Sequence, residues 1–312
     1  MAGVTDQKQI KAGPLRRQQL KAAVWFLLPV CLLLAAAALW PLLRTLVLSL
    51  SDSSLYVMQR PSWVFLDNYL YFLDGQAFGV LSDPRWWLSV RNTLIFAVTS
   101  VGLELVLGMA IALTLNHTIP MRGLMRTVLL VPWAIPTIVT AQIWLWMLHD
   151  QYGVINHILE MLGLIERGVP WVSQASTALA AIIMIDVWKT TPFMTLMILA
   201  ALQIVPRDLI EAARMDGANA VQSFFKVTLP VIFPAVAVAI VFRLLDALRV
   251  FDLIYIINPS DENIMSMSVY ARRLLFEFGR FGAGSAASVL LFMVVSMLAI
   301  AWIKISRATD QA

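Results

Sequence analysis

"EAARMDGANAVQSFFKVTLP", Glu211 to Pro230, is a polar stretch set between long apolar runs. Pro206 fits the first turn of a helix, where its missing N–H costs nothing, and helix formers follow from Leu209 to Met215. Gly217 ends that helix, because glycine takes positive φ without a Cβ penalty. Asn219 is placed to cap a second helix. In it Val221, Phe224, Phe225 and Leu229 fall at i, i+3, i+4 and i+8, an apolar stripe that Pro230 closes. The expected product is two short helices at an angle. The first carries both signs of charge, on Arg207, Asp208, Glu211, Arg214 and Asp216. Helices that lie on lipid headgroups favour Lys and Arg on their polar face, so this mixed-charge knob suits a protein groove better.

The rest of the chain says where the knob sits. Of 312 residues, 60% are hydrophobic and 13% charged, about half the charge of an ordinary soluble domain. Six segments are long and apolar enough for a bilayer core, which needs about 20 residues of helix: 22–48, 88–115, 124–148, 176–201, 231–257 and 284–304. An all-α polytopic membrane protein with six transmembrane helices is therefore expected. Lys8, Lys11, Arg16, Arg17 and Lys21 precede the first apolar run, which is too long for a signal-peptide core and reads as an uncleaved anchor. Lys and Arg favour the cytoplasmic side. Their distribution puts both termini inside, with tails 1–21 and 306–312, an extracytoplasmic loop 49–87 and a core 88–305 whose segment 206–230 is cytoplasmic. Cys31 is the single cysteine, so no disulfide forms within the chain.

Charges inside the spans are the natural candidates for function, since each is costly at mid-bilayer. The fifth span holds Arg243, Asp246, Arg249 and Asp252, each three residues from the next, a ladder in which opposite charges can meet along the helix. It either pins the helix to its neighbours or lends members, with Tyr255 and Asn258, to a polar pathway. Asp186 and Lys189 form a similar pair on the fourth span, ahead of Pro192, which is expected to kink the helix. Glu104 on the second span has no local partner and reads as a packing residue. Trp133, between two prolines, offers a flat surface for a sugar ring, although packing is the commoner role of a tryptophan. No G-x-x-x-x-G-K-[ST] loop is present, so ATP hydrolysis by that route is excluded. His117, His149 and His157 lack metal-ligand spacing.

The pattern E-A-A, three residues, Gly, nine residues, aliphatic, one residue, L-P resembles the EAA loop of ATP-binding-cassette importer permeases. Here it is Glu211, Ala212, Ala213, Gly217, Val227, Leu229 and Pro230, with valine where isoleucine is usual. "LDNY" (66–69), "SDPRWW" (82–87), "RNTL" (91–94), "RTVLLVPWAIP" (126–136), "DQYGVIN" (150–156), "WKTTPFM" (188–194) and "RLLDALRVFDLIY" (243–255) look like the carbohydrate-importing subfamily of maltose and trehalose type. The resemblance implies the type I importer (MetI-like) fold and a permease subunit without an ATPase site of its own. ATP and Mg would be bound by a partner, and no other cofactor or metal is implied. Glu211, Ala212, Ala213, Asp216, Gly217, Leu229 and Pro230 would couple to that ATPase. Trp133, Gln142, Arg243, Asp246, Asp252, Tyr255 and Asn258 would line the substrate path. Implied partners are a second permease, two ATPase subunits, an extracytoplasmic solute-binding protein, a sugar or glycoside and the lipid bilayer, with no nucleic acid. The implied site is a bacterial cytoplasmic (inner) membrane. A glucoside such as trehalose or maltose is the first expectation for the solute; an anionic glycoside or glycerol phosphate is the alternative. An ion-coupled secondary transporter is a further rival.

Overall fold

The structure, a computed structural model, describes residues 14–55, 61–117, 120–259 and 261–310, with side chains from 21 to 306. Lys8, Lys11 and Arg60 lie outside the described residues, as do the side chains of Arg16, Arg17 and Arg307.

The chain is mostly helical. α1 (Pro14–Leu34) continues through a wide π turn, Ala35–Leu39, into α2 (Trp40–Ser49). A loop carrying a small antiparallel hairpin, β1 (Tyr71–Leu73) and β2 (Gln76–Phe78), leads to α3 (Pro84–Asn116). The hairpin lies within the loop 49–87. Its turn is Asp74-Gly75, both at positive φ, the favoured geometry of a two-residue hairpin, and the Tyr71 and Phe78 rings stack across it at 5.2 Å. α4 (Arg122–Ala134) and α5 (Thr137–Met147) follow, then α6 (Val154–Met161) and α7 (Ala175–Leu202). The polar knob comprises α8 (Arg207–Met215) and α9 (Ala220–Ser223). A π turn, Phe224–Thr228, joins α9 to α10 (Leu229–Ala247), and α11 (Asp252–Ile257), α12 (Met267–Arg272) and α13 (Phe281–Asp310) complete the fold.

Among the described residues, five helical stretches are long and apolar enough to cross a membrane, and the bent pair α4–α5 makes a sixth when counted as one span. The segment expected as one span, 124–148, is thus a broken one. It turns by 90° at Ile135-Pro136. Proline disfavours the helical region for the residue before it, and Ile135 is extended at φ −73°, ψ 131°. α7, by contrast, runs through Pro192 as one helix. Thr190, Thr191 and Thr195 hydroxyls donate back to the carbonyls of Asp186, Val187 and Thr191 along this stretch.

α7 is the centre of the bundle. It packs on α3 and α10 and meets α4, α5 and α11, and it is the most buried of the spans. α13 packs on α2, α10 and α12, whereas the apolar face of α1 is wholly exposed. Around the ends of α2 and α3, several of the quoted motifs act as fasteners. Asn68 donates to the carbonyls of Ser49 (2.9 Å) and Ser51 (2.7 Å), where α2 ends. Asp83 caps α3 and accepts from the Tyr270 hydroxyl at 2.9 Å. Burial and that hydrogen bond push the Tyr270 phenol above its ordinary pKa, so it stays a donor. Asn92 donates to the carbonyls of Asn263 and Met265, and Thr93 accepts from Met267 N–H at 3.0 Å. These bonds lock the loop before α12 onto α3.

Candidate functional site

The fifth-span charges do not form the expected ladder. α10 ends at Ala247, and α11 begins only at Asp252, so the four residues do not share one helix. Arg243 pairs with Asp246 at 2.8 Å. Among the described residues no ion pair joins Arg249 to Asp246 or to Asp252; Arg249 Nε instead donates to the Leu245 carbonyl at 3.0 Å.

Arg243 finds its main partners on other spans. Its Nε and one terminal nitrogen grip both oxygens of Glu104 on α3, at 2.7 and 2.9 Å. The same terminal nitrogen pairs with Asp186 on α7. The Ser100 hydroxyl lies within hydrogen-bond reach of both Glu104 (2.7 Å) and Asp186, to one of which it donates, and the Thr190 hydroxyl lies 2.7 Å from Glu104 as an alternative to the Asp186 carbonyl. Glu104 and Arg243 are buried completely or nearly so. One guanidinium thus ties α3, α7 and α10 into a node. A bidentate Arg–carboxylate fork of this kind fixes orientation as well as proximity. Glu104, read as a packing residue with no local partner, has its partner 139 positions away on another span. The expected Asp186–Lys189 pair is also corrected. Asp186 turns to Arg243, while Lys189 Nζ donates to the Ile135 carbonyl at 3.0 Å. That carbonyl is freed by the break before Pro136, so Lys189 holds the α4–α5 bend from α7.

Beside the node lies an inner cavity of about 220 Å³. Trp133, Lys189, Arg243, Asp246, Arg249 and Asp252 are among its walls. Four of the sequence-assigned path residues, Trp133, Arg243, Asp246 and Asp252, therefore come together there. They differ in availability. Arg243 is saturated, whereas the Asp246 side chain is 72% exposed and shows one oxygen to the cavity while the other is held by Arg243. The Trp133 ring backs onto Phe193, centroids 6.3 Å apart and nearly parallel. Gln142 and Asn258 are not part of this site; they line a separate outer cavity of about 490 Å³. Tyr255 lines neither. It stacks on Phe251 at 5.2 Å, and the Arg272 guanidinium sits 4.0 Å above its ring, a cation–π contact that occupies its face.

The knob is built as a hinge of two capped helices. Pro206 is the N-cap of α8 rather than part of its first turn. At the other end Gly217, at φ +81°, donates to the Arg214 carbonyl, and Ala218 donates to that of Ala213. Those two bonds are the Schellman closure. Asn219 then opens α9 through a reciprocal capping box with Gln222, at 2.9 and 3.0 Å. The second helix does not stop at Pro230. The π turn carries the chain past the proline, which has no N–H to donate, straight into α10. Glu211, Ala212, Asp216 and Gly217 are exposed, Ala213 is buried, and Leu229 is half-buried. Leu209, Met215, Val221 and Phe225 expose large apolar side chains around them.

A bent multi-span helical bundle with a polar cavity and a projecting helical elbow defines a transport permease. The chain belongs to the family of binding-protein-dependent transport system inner membrane components, which matches residues 104–308. It is 37% identical over 94% of its length to the trehalose/maltose transport system permease protein MalF of Thermococcus litoralis, of which it covers 96%. It is 36% identical, again over 94%, to the trehalose transport system permease protein SugA of Mycobacterium tuberculosis, covering 91% of that chain. Its fold superposes with a TM-score of 0.74, at 23% identity, on a chain of a bacterial ABC transporter involved in the import of the acidic polysaccharide alginate, covering 94% of this chain and 97% of that one. The protein is thus a multi-pass permease subunit of an ATP-binding-cassette importer, and the ion-coupled reading is set aside.

Proposed function

We propose that this permease carries a neutral carbohydrate, a glucoside such as trehalose or maltose, across a bacterial cytoplasmic membrane, with both termini inside. Two relatives that it matches over nine-tenths or more of their length are named for those sugars. The observation that carries the reading is the helical rod from Ala220 to Ala247. It starts at the exposed elbow and ends with Arg243 and Asp246 at the inner cavity. A displacement of the elbow by a cytoplasmic ATPase would therefore reach the cavity walls through one stiff element. In this reading Glu211 offers the elbow's polar contact and the exposed Met215 and Phe225 its apolar ones. ATP and Mg belong to the partner, two copies of which face this chain and a second permease. Asp246 and Asp252 accept from sugar hydroxyls, and Trp133 covers a ring face. An extracytoplasmic solute-binding protein delivers the sugar.

The test is reconstitution of this chain with its co-encoded permease, ATPase and binding protein in liposomes. ATP-dependent uptake of radiolabelled trehalose or maltose is expected. Uptake that needs an ion gradient and no ATP, or no uptake of either sugar, would overturn the reading.

A further inference from the structure

The outer cavity has a built wall. After α5 the chain turns through His149–Gly153, and buried Asn156 fastens that turn to the loop before α7. Its Nδ2 donates to the carbonyls of His149 (3.2 Å) and Val169 (3.0 Å). Its Oδ1 accepts from Val169 N–H at 3.2 Å and from Trp171 Nε1 at 2.7 Å. The backbones approach so closely that a Cβ on Gly153 would collide with His149 and one on Gly168 with Asp150. A buried side-chain amide with its hydrogen-bonding capacity met by both loops ties them together.

On that wall the His149 and Tyr152 rings stack at 3.6 Å, 14° from parallel. Trp146 stands beside them on α5, 62% exposed, with Tyr152 at 61%. Gln142, Asp150 and Asn258 line the same cavity, and among the described residues the Gln142 amide has no hydrogen-bond partner. Interfacial anchoring accounts for one exposed tryptophan. It does not account for a parallel ring stack, a free amide and a carboxylate gathered around one space on a fastened loop. A pyranose ring has an apolar C–H face and a rim of hydroxyls that both donate and accept. Amphipathic aromatic rings match the face, and amides, which both donate and accept, match the rim. The volume, about 490 Å³, falls in the range of small-molecule sites, roughly 300–1,000 Å³.

α11 connects this cavity to the inner one. Asp252, its first residue, lines the inner cavity, and Ile257, its last, lines the outer. At 1.5 Å per residue the helix is about 9 Å long, roughly the length of a disaccharide. We propose that the outer cavity is a second carbohydrate subsite, which receives a pyranose ring first and passes it along α11 to the inner cavity. This rests on the carbohydrate reading above.

The experiment uses the assembled transporter in liposomes. Cys31, the only cysteine, is replaced by serine, and Gln142→Cys is introduced for maleimide labelling read on this chain. Without ATP, trehalose or maltose should slow labelling severalfold. Trp146→Ala and Tyr152→Ala should abolish that protection and raise KM for uptake about tenfold with little change in kcat, the pattern of lost uniform binding. Should Gln142→Cys fail to assemble, Asn258→Cys on the facing wall gives the same reading. Unchanged labelling with either sugar, while wild-type uptake proceeds, would overturn the subsite and leave the transport function standing. Absence of wild-type uptake of both sugars would overturn the carbohydrate reading and this inference together.

Discussion

Two charged residues six positions apart, Arg243 and Arg249, live in opposite circumstances. The first is buried, with carboxylates from three helices around it. The second is exposed at a helix break and reaches only the carbonyl of its own last turn. Spacing along one helix made them look equivalent. What separates them is the neighbouring spans: α3 and α7 bring carboxylates to Arg243, and among the described residues no ion pair reaches Arg249. Charges placed in a dry helix interface act on structure, whereas those left at a cavity edge remain available to a passing solute.

The sharpest way to break this contrast is Arg243→Met. It leaves Glu104 and Asp186 buried without their cation, and breaking such a pair from one side costs about 3–5 kcal/mol. Loss of the folded subunit from membranes, read as a collapse of monodisperse yield and a lowered Tm, is the expected outcome. Gly217→Val comes next and moves the contrast to the elbow. A Cβ there meets open space, so the effect is conformational, about 1–3 kcal/mol of local backbone strain. The subunit should still assemble, but loaded binding protein should no longer stimulate ATP hydrolysis. Lys189→Met removes the donor that holds the Ile135 carbonyl and should cost about 1–3 kcal/mol for an acceptor left unsatisfied, seen as a lower Tm and slower uptake. The smallest effect on stability belongs to Asp252→Asn, within about 0.5 kcal/mol as for exposed sites generally. Its signature is instead a raised KM for sugar uptake at normal expression.

Much of this arrangement could be read from the chain. The elbow was the most legible part, because its devices are local: Gly217 for positive φ and Asn219 with Gln222 for a cap all lie within six residues. The number of spans was equally plain from apolar length. Partnerships between spans were not, because Glu104 meets Arg243 across 139 residues. A lone carboxylate in a span announces that a cation must exist, but Lys189, Arg243 and Arg249 were all available to supply it. The bend at Ile135 has a local signal in Pro132 and Pro136, masked by the long apolar run that carries them. Asp74-Gly75 likewise announced the hairpin. The path residues separated into two cavities for a reason no spacing shows: the helix is interrupted at 248–251, and α11 spans from one cavity to the other.

The division between node and cavity edge is tested most directly by two double-mutant cycles on the thermal unfolding of the assembled transporter. One pairs Glu104→Gln with Arg243→Gln; the other pairs Arg249→Gln with Asp252→Asn. Directly bonded partners couple by about 0.5–3 kcal/mol, and independent sites add within roughly 0.5. The account predicts coupling in the upper part of that range for Glu104 with Arg243 and none resolvable for Arg249 with Asp252. Additive behaviour in the first cycle, or strong coupling in the second, would contradict it.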